Sequence, residues 1–265
     1  MYTPPIYRFP IEKLPTPFYE AVVDVHRRTD APPETVTADT FAIASTTTQQ
    51  RYKLQGPNGN VMPTSQNTLS LAPSASGKGE SYRCLMTWPA HFDIDESALA
   101  LKKISIGDLI LQNESYTSLI DRLDGHHNSV SIQLEDGYSF LTGPMMKPDV
   151  ISYQTQAWSG ASSIRFGRHR NVKHAVEPCL TIGLRLPPDL FYDFNKRNKG
   201  ECEKLGLWGR SLVFCHDPER FRIQPWYPPD SAHRAKGESA AGSANRLFPQ
   251  RDIESSSSDR RSRTL

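Results

Sequence analysis

An α/β fold with a mostly parallel sheet is predicted for this chain by three observations. Short apolar stretches of strand character alternate along its 265 residues with stretches whose apolar positions recur at helical spacing. One short strand, Asn67–Leu71, runs through a small-residue loop into a helix. Another, Ser129–Leu134, ends in two adjacent acids, Glu135 and Asp136. The length suffices for a complete α/β core in one or two domains, and no internal repeat is visible.

Residues 1–17 are punctuated by Pro4, Pro5, Pro10, Pro15 and Pro17 and read as an extended leader. Phe18, Ala21, Val22 and Val25 share one helical face, which predicts a helix over 18–26. Pro32 and Pro33 then suit a helix start, where a missing N–H costs nothing, so a second helix is expected over 34–48. Gly56-Pro57-Asn58-Gly59 is a turn signal between 49–55 and 60–62, giving a hairpin or short loop. After the strand at 67–71 and the loop at 72–79, a helix should begin near Gly77 and end before Pro89. Further strands are expected at 101–106, 109–112, 129–134, 179–184 and 210–215, with helices at 116–123, 148–157 and 189–197. Beyond Cys215 the chain turns proline-rich and then rich in Ser, Ala, Gly and Arg, including the four serines at 255–258. Such a stretch buries too little apolar surface to offset its ordering entropy. The expected division is a helical leader at 1–55, a core at 56–218 and a disordered tail at 219–265.

Composition excludes several classes. No run of about 18 apolar residues exists, so no membrane span or membrane partner is expected. The N-terminus lacks the basic-then-apolar pattern of a signal peptide. Cys84, Cys179, Cys202 and Cys215 form no C-x-x-C pair, which predicts reduced thiols and a cytoplasmic protein rather than a zinc site or disulfide framework. Net charge is +2, yet residues 231–265 alone hold seven basic and four acidic groups. The remainder is nearly neutral, so bulk charge gives no argument for nucleic-acid binding.

The stretch 72–79 carries the clearest chemistry. A loop that cradles phosphate needs a strand, a tight turn of small residues with N–H groups facing inward, a helix N-terminus and a lysine. Ser74, Ala75, Ser76, Gly77, Lys78, Gly79, Glu80 and Ser81 supply this order as cofactor-binding candidates for ATP. The string departs from G-x-x-x-x-G-K-S/T at both ends: Ala72 replaces the first glycine and Gly79 the magnesium-binding hydroxyl residue. Ser81 or Ser76 is a candidate substitute for that hydroxyl. A flexible Ser/Gly connection is the bland alternative. Lys78 is expected to stand solvated in an empty loop. The second element, Ser129-Val-Ser-Ile-Gln-Leu-Glu-Asp-Gly137, alternates Val130, Ile132 and Leu134 before its acids, as a strand that holds Mg2+ and polarises water would. Glu135 and Asp136 are therefore catalytic candidates, with Asp136 as the metal ligand.

Several stretches together resemble an uncharacterised family of P-loop proteins of mobile elements and bacterial chromosomes, often fused to or encoded near primase domains. They are residues 61–78, the strand at 129–140, Gln156-Ala-Trp-Ser-Gly160, Val176-Glu-Pro-Cys-Leu180 and Gly206-Leu-Trp-Gly-Arg210, in the family's order over about 12–218. The resemblance implies a RecA-like ATPase core, a helicase-type motor beside a primase, DNA as partner and a homo-oligomer with nucleotide between subunits. It assigns Lys78 to phosphate, Glu135 and Asp136 to magnesium and water, and Arg210 to charge stabilisation. Gly79, and Leu186-Pro187-Pro188 where a glutamine sensor is expected before the proline, depart from the pattern. So does the low-complexity tail, which a C-terminally truncated copy would show. A nucleotide-binding or interaction module without turnover is the alternative reading.

Other clusters rank lower. Arg165, Arg168, His169, Arg170, Lys173 and His174 read as a solvated hairpin before a nucleic-acid track. His126-His127 beside Asp124 reads as loop, and Trp88, Trp158, Trp208 and Trp226 as packing residues.

Overall fold

The computed structural model describes residues 6–86, 110–112, 115–124, 128–166 and 172–228. In chain order these form β1 (Ile6–Tyr7), α1 (Thr16–Thr29), α2 (Pro33–Thr48), β2 (Lys53–Gln55), β3 (Val61–Pro63), β4 (Asn67–Leu71) and α3 (Lys78–Met86). There follow β5 (Ile110–Leu111), α4 (Tyr116–Leu123), β6 (Ser129–Leu134), α5 (Tyr138–Thr142), α6 (Pro148–Trp158), β7 (Ser163–Phe166) and β8 (Lys173–Val176). Last come β9 (Cys179–Leu186), α7 (Pro188–Arg197), α8 (Glu201–Lys204), β10 (Ser211–Cys215) and β11 (Arg222–Ile223). No helix among the described residues is long and apolar enough to cross a membrane.

Five strands make one sheet in the order β10-β4-β9-β6-β5, every neighbouring pair parallel. Leu71 pairs with Leu186 and Leu134 with Leu184, so β4, β9 and β6 end along one edge. Ligands of open parallel sheets bind at that edge.

Strand alternation gives this sheet two unlike faces. One presents Leu69, Leu71, Val130, Ile132, Leu134, Leu180, Ile182, Leu184 and Leu186 to the apolar residues of α4, α5, α6 and α7. The other presents Thr68, Ser70, Ser129, Ser131, Gln133, Thr181 and Arg185, all buried. Helix α2 covers this polar face, and it is buried almost all round, from Pro33 to Thr46. Its threonines would otherwise compete with the helix, but Thr37, Thr40 and Thr46 donate to the carbonyls of Pro33, Val36 and Ala42 four residues back. Ser45 Oγ meets Thr181 Oγ1 at 2.6 Å, Thr46 Oγ1 meets Ser131 Oγ at 2.7 Å, and Gln49 Nε2 donates to the carbonyl of Val130 at 3.1 Å. Each such bond contributes about 0.5–1.5 kcal/mol, and leaving one group unpaired costs more.

An ion pair closes this seam. Arg185 Nε donates to Asp39 Oδ1 at 2.6 Å, with both side chains only 1% exposed. The guanidinium also donates to the Leu134 carbonyl at 3.2 Å and to Gln133 Oε1 at 3.4 Å, and lies 4.0 Å over the Tyr82 ring. Asp39 Oδ2 accepts from Ser81 Oγ at 2.8 Å. Gly183 makes room for Gln133, since a Cβ there would stand 2.1 Å from its Oε1.

Two expectations change. The leader is not separate from the core, because α2 packs on β4, β9 and β10. Order persists past 219: Arg222 and Ile223 pair with Ile6 and Tyr7, Gln224 N donates to the Tyr7 carbonyl, and Trp226 is buried against α1. The basic cluster read as a hairpin falls on an antiparallel pair, β7 and β8, with Arg165 opposite His174. The expected strand at 101–106, the residues 167–171 of the basic cluster, His126-His127, Trp88 and the tail from 229 lie outside the described residues.

Removing one partner of a buried pair leaves an uncompensated charge, at a cost of about 3–5 kcal/mol. Asp39→Asn is therefore expected to lose about that much stability by urea denaturation. A loss below about 1 kcal/mol would show that the pair does not hold the seam.

Candidate functional site

Strand β4 delivers the chain to the ligand edge at Leu71, and α3 begins at Lys78. Between them the backbone reverses through two left-handed residues, Ala75 at φ 63° and Gly77 at φ 80°. For alanine this conformation costs roughly 1–2 kcal/mol, so the surroundings impose it. Gly77 has a second reason to be glycine: a Cβ there would stand 3.1 Å from both Ala31 Cα and the Thr29 carbonyl. Among the described residues, no backbone acceptor faces the N–H groups of Ala75, Gly77 or Lys78. Alternating hands of this kind turn successive N–H groups into one concavity suited to an anion.

Lys78 is not solvated as expected. Its Nζ donates to the carbonyls of Ala72 at 3.1 Å and Pro73 at 3.0 Å, folding the side chain over its own loop. Burial lowers its pKa from the ordinary lysine value, while the carboxylates of Asp136 and Asp189 pull the other way. The lysine is thus a partly desolvated cation on two weak acceptors.

Strand β6 brings Glu135 and Asp136 to the same edge, with β9 between β6 and β4. Glu135 Oε1 accepts from Arg83 Nη2 at 3.2 Å, and Arg83 also pairs with Glu80. Asp136 Oδ1 accepts from the backbone N–H of Tyr138 at 3.1 Å. Ala75, Gly77, Lys78, Gly79, Glu80, Glu135 and Asp136 line one open cleft of about 750 Å3, shared with Tyr82, Arg83, Gln112 and Gln133. The lysine and both acids therefore converge.

Other candidates fall differently. Ser74 is exposed at the loop tip, and Ser76 Oγ is buried without a hydrogen-bond partner. Ser81 points away from the cleft, because its hydroxyl is committed to buried Asp39, so it does not replace the missing loop hydroxyl. Arg210 precedes β10 at Ser211, whose register partner is Asn67 at the start of β4. It sits at the opposite sheet edge from Lys78, donating to the Gly206 carbonyl and facing the Trp158 ring at 5.6 Å. Within one chain it does not reach the cleft. Leu186 closes β9 fully buried, with its carbonyl accepting from Ala72 N, so no polar sensor side chain stands there.

Sequence reasoning missed Asp39, Arg185, Arg83 and Asp189. An arginine inside the mostly apolar stretch Cys179–Leu186, and an acid in a helix of weak amphipathic pattern, were the available signals.

Among the described residues no group of three or more His, Cys, Asp or Glu side chains could hold a metal by itself. Glu135 and Asp136 beside a concavity suited to an anion are a donor set of the kind magnesium uses, which takes one or two carboxylates and completes its shell with other oxygens and water. Comparison with family models, with curated proteins and with solved structures returns no match for the chain.

Gly77→Ala is expected to cost about 2 kcal/mol or more in denaturant unfolding, because left-handed strain adds to the crowding at Ala31. An unchanged midpoint would mean that the loop relaxes freely and is not held in this shape.

Proposed function

We propose that the chain binds a magnesium–nucleoside triphosphate, ATP by the resemblance, in the cleft between the 72–79 loop and the end of β6. One observation carries this reading: Lys78, the unpaired loop N–H groups and the acids Glu135 and Asp136 meet in one cleft at the ligand edge of a parallel sheet. The placement of β9 between the loop strand and the acidic strand supports a RecA-like core as the finer description of the fold.

On this reading the N–H groups of Ala75, Gly77 and Lys78 take the inner phosphates, aided by the N-terminal dipole of α3. Lys78 exchanges its two carbonyl acceptors for the terminal phosphate, a stronger charge-assisted bond. Glu135 and Asp136 would hold a magnesium ion, which would supply neutralisation of phosphate charge. One acid accepts the proton of an attacking water, while burial weakens the charge on Lys78 and Asp136, then Asp189, support it. Work on DNA, partnership with a primase and a homo-oligomer rest on the resemblance, as do the mobile-element setting and a cytoplasmic location. In an oligomer, Arg210 at the far edge would serve a neighbour's nucleotide.

A second reading has its own observations. Gly79 lacks the hydroxyl, Ser81 cannot supply it, and Leu186 offers no polar group where a phosphate sensor would stand. These favour a nucleotide-binding module without turnover.

Saturating Mg-ATP should stabilise the wild type by about 2.7 kcal/mol at a hundredfold excess over Kd, seen as a raised melting temperature. Lys78→Ala should lose that response. Equal small shifts in both proteins would reduce the loop to a connection. Phosphate release by the wild type, with and without single-stranded DNA, decides between motor and module.

A further inference from the structure

We propose that Gly79 and Glu135 are two halves of one exchange, in which the Glu135 carboxylate takes the place of the missing loop hydroxyl and ligates the divalent cation directly. The proposal rests on the nucleotide reading above.

Gly79 is not glycine for backbone reasons. It lies in the first turn of α3 and is not among the residues of positive φ, so alanine or serine would suit its backbone. Glycine there costs roughly 0.5–1 kcal/mol relative to alanine. What a side chain would meet is Glu135. A Cβ on Gly79 would stand 2.2 Å from Glu135 Oε1, 3.1 Å from its Cδ and 3.3 Å from Arg83 Nη2. The carboxylate therefore fills the volume that a serine or threonine side chain would occupy at this helix turn.

The substitution is chemically coherent. A loop hydroxyl and an aspartate at the strand end bring two oxygens to a metal from two elements. Glutamate is one methylene longer, and with the hydroxyl gone it spans from β6 to the first turn of α3. The exchange swaps a neutral ligand for a charged one, which suits magnesium's preference for carboxylate oxygen. Arg83 holds the carboxylate in this position through Nη2 at 3.2 Å. That pair is exposed on both sides, so it is weak and yields to a cation. Asp136 has a different commitment, to the Tyr138 N–H, and remains the acid for water. The metal role thus moves from Asp136 to Glu135.

The test measures binding of a fluorescent ATP analogue to the full chain in Mg2+ and in EDTA, with melting of each ligand-free variant as a check on folding. Wild type should bind more tightly with Mg2+, and Glu135→Gln should remove most of that gain, a larger loss than Asp136→Asn causes. Gly79→Ser alone should lose the gain, because it displaces the carboxylate. Gly79→Ser combined with Glu135→Asp should restore it by rebuilding the hydroxyl-and-aspartate arrangement. Gly79→Ala, which crowds without offering an oxygen, should not be rescued by Glu135→Asp. If Asp136→Asn abolishes the gain while Glu135→Gln retains it, or the double variant binds no better than Gly79→Ser, the proposal is wrong. Equal wild-type binding in Mg2+ and EDTA would overturn this inference alone. No binding in either would overturn the nucleotide reading with it.

Discussion

The buried Asp39–Arg185 pair is the contact on which the rest of the molecule depends. It joins α2 to β9, reaches β6 through the Leu134 carbonyl, and reaches α3 through Ser81. Those elements carry the loop and the acids, so the pair lies directly beneath the cleft. Taking two charges out of water is expensive, and well-packed apolar residues could match such a pair in stability. Its value lies in geometry: the guanidinium fork, the carboxylate and the Tyr82 ring each accept few arrangements. Burial pushes the Asp39 carboxyl up, while Arg185 and the Ser81 hydroxyl pull it down.

The polar seam around this pair explains why α2 resembles no amphipathic helix. Its partner face is built of serine, threonine, glutamine and glycine, so the contact is made by hydrogen bonds and close approach. Gly183 and Gln133 show the tolerance involved, since no Cβ fits between them. On the other side, α1 and the turn at Thr29–Ala31 press on Gly77. The left-handed Gly77 is thus held between the end of α1 and the start of α3. A loop held open in this way presents N–H groups before any ligand arrives, which lowers the reorganisation needed on binding.

Much of the scaffold was legible in the sequence. The strands Asn67–Leu71 and Ser129–Leu134 and the helix Tyr116–Leu123 coincide with their expected bounds, because turn residues and apolar periodicity agree there. Strand β9 runs two residues beyond expectation, to Leu186, because Arg185 interrupts the apolar pattern while staying inside the sheet. The cleft was legible in its strand–loop–helix order and in the paired acids. Its support was not, since Asp39 lies 146 residues from Arg185 and only tertiary contact joins them. The placement of Ser81 against Asp39 and of Arg210 at the far sheet edge was not legible for the same reason: spacing places a residue on an element but does not say which edge or face it takes. The pairing of β1 with β11 rests on two residues in each strand, far apart in sequence, and leaves no periodic trace.

In the proposed reading, the 72–79 loop is a preformed phosphate cradle and Lys78 waits on the carbonyls of Ala72 and Pro73. The most direct measurement is an amide-resolved NMR titration of the isotope-labelled protein with Mg-ATP. Saturable shifts should centre on the N–H groups of Ala75, Gly77, Lys78 and Gly79, with smaller changes at Glu135 and Asp136 and little at β7 and β8. Shifts that do not saturate, or that saturate elsewhere while Gly77 and Gly79 stay fixed, would contradict the account.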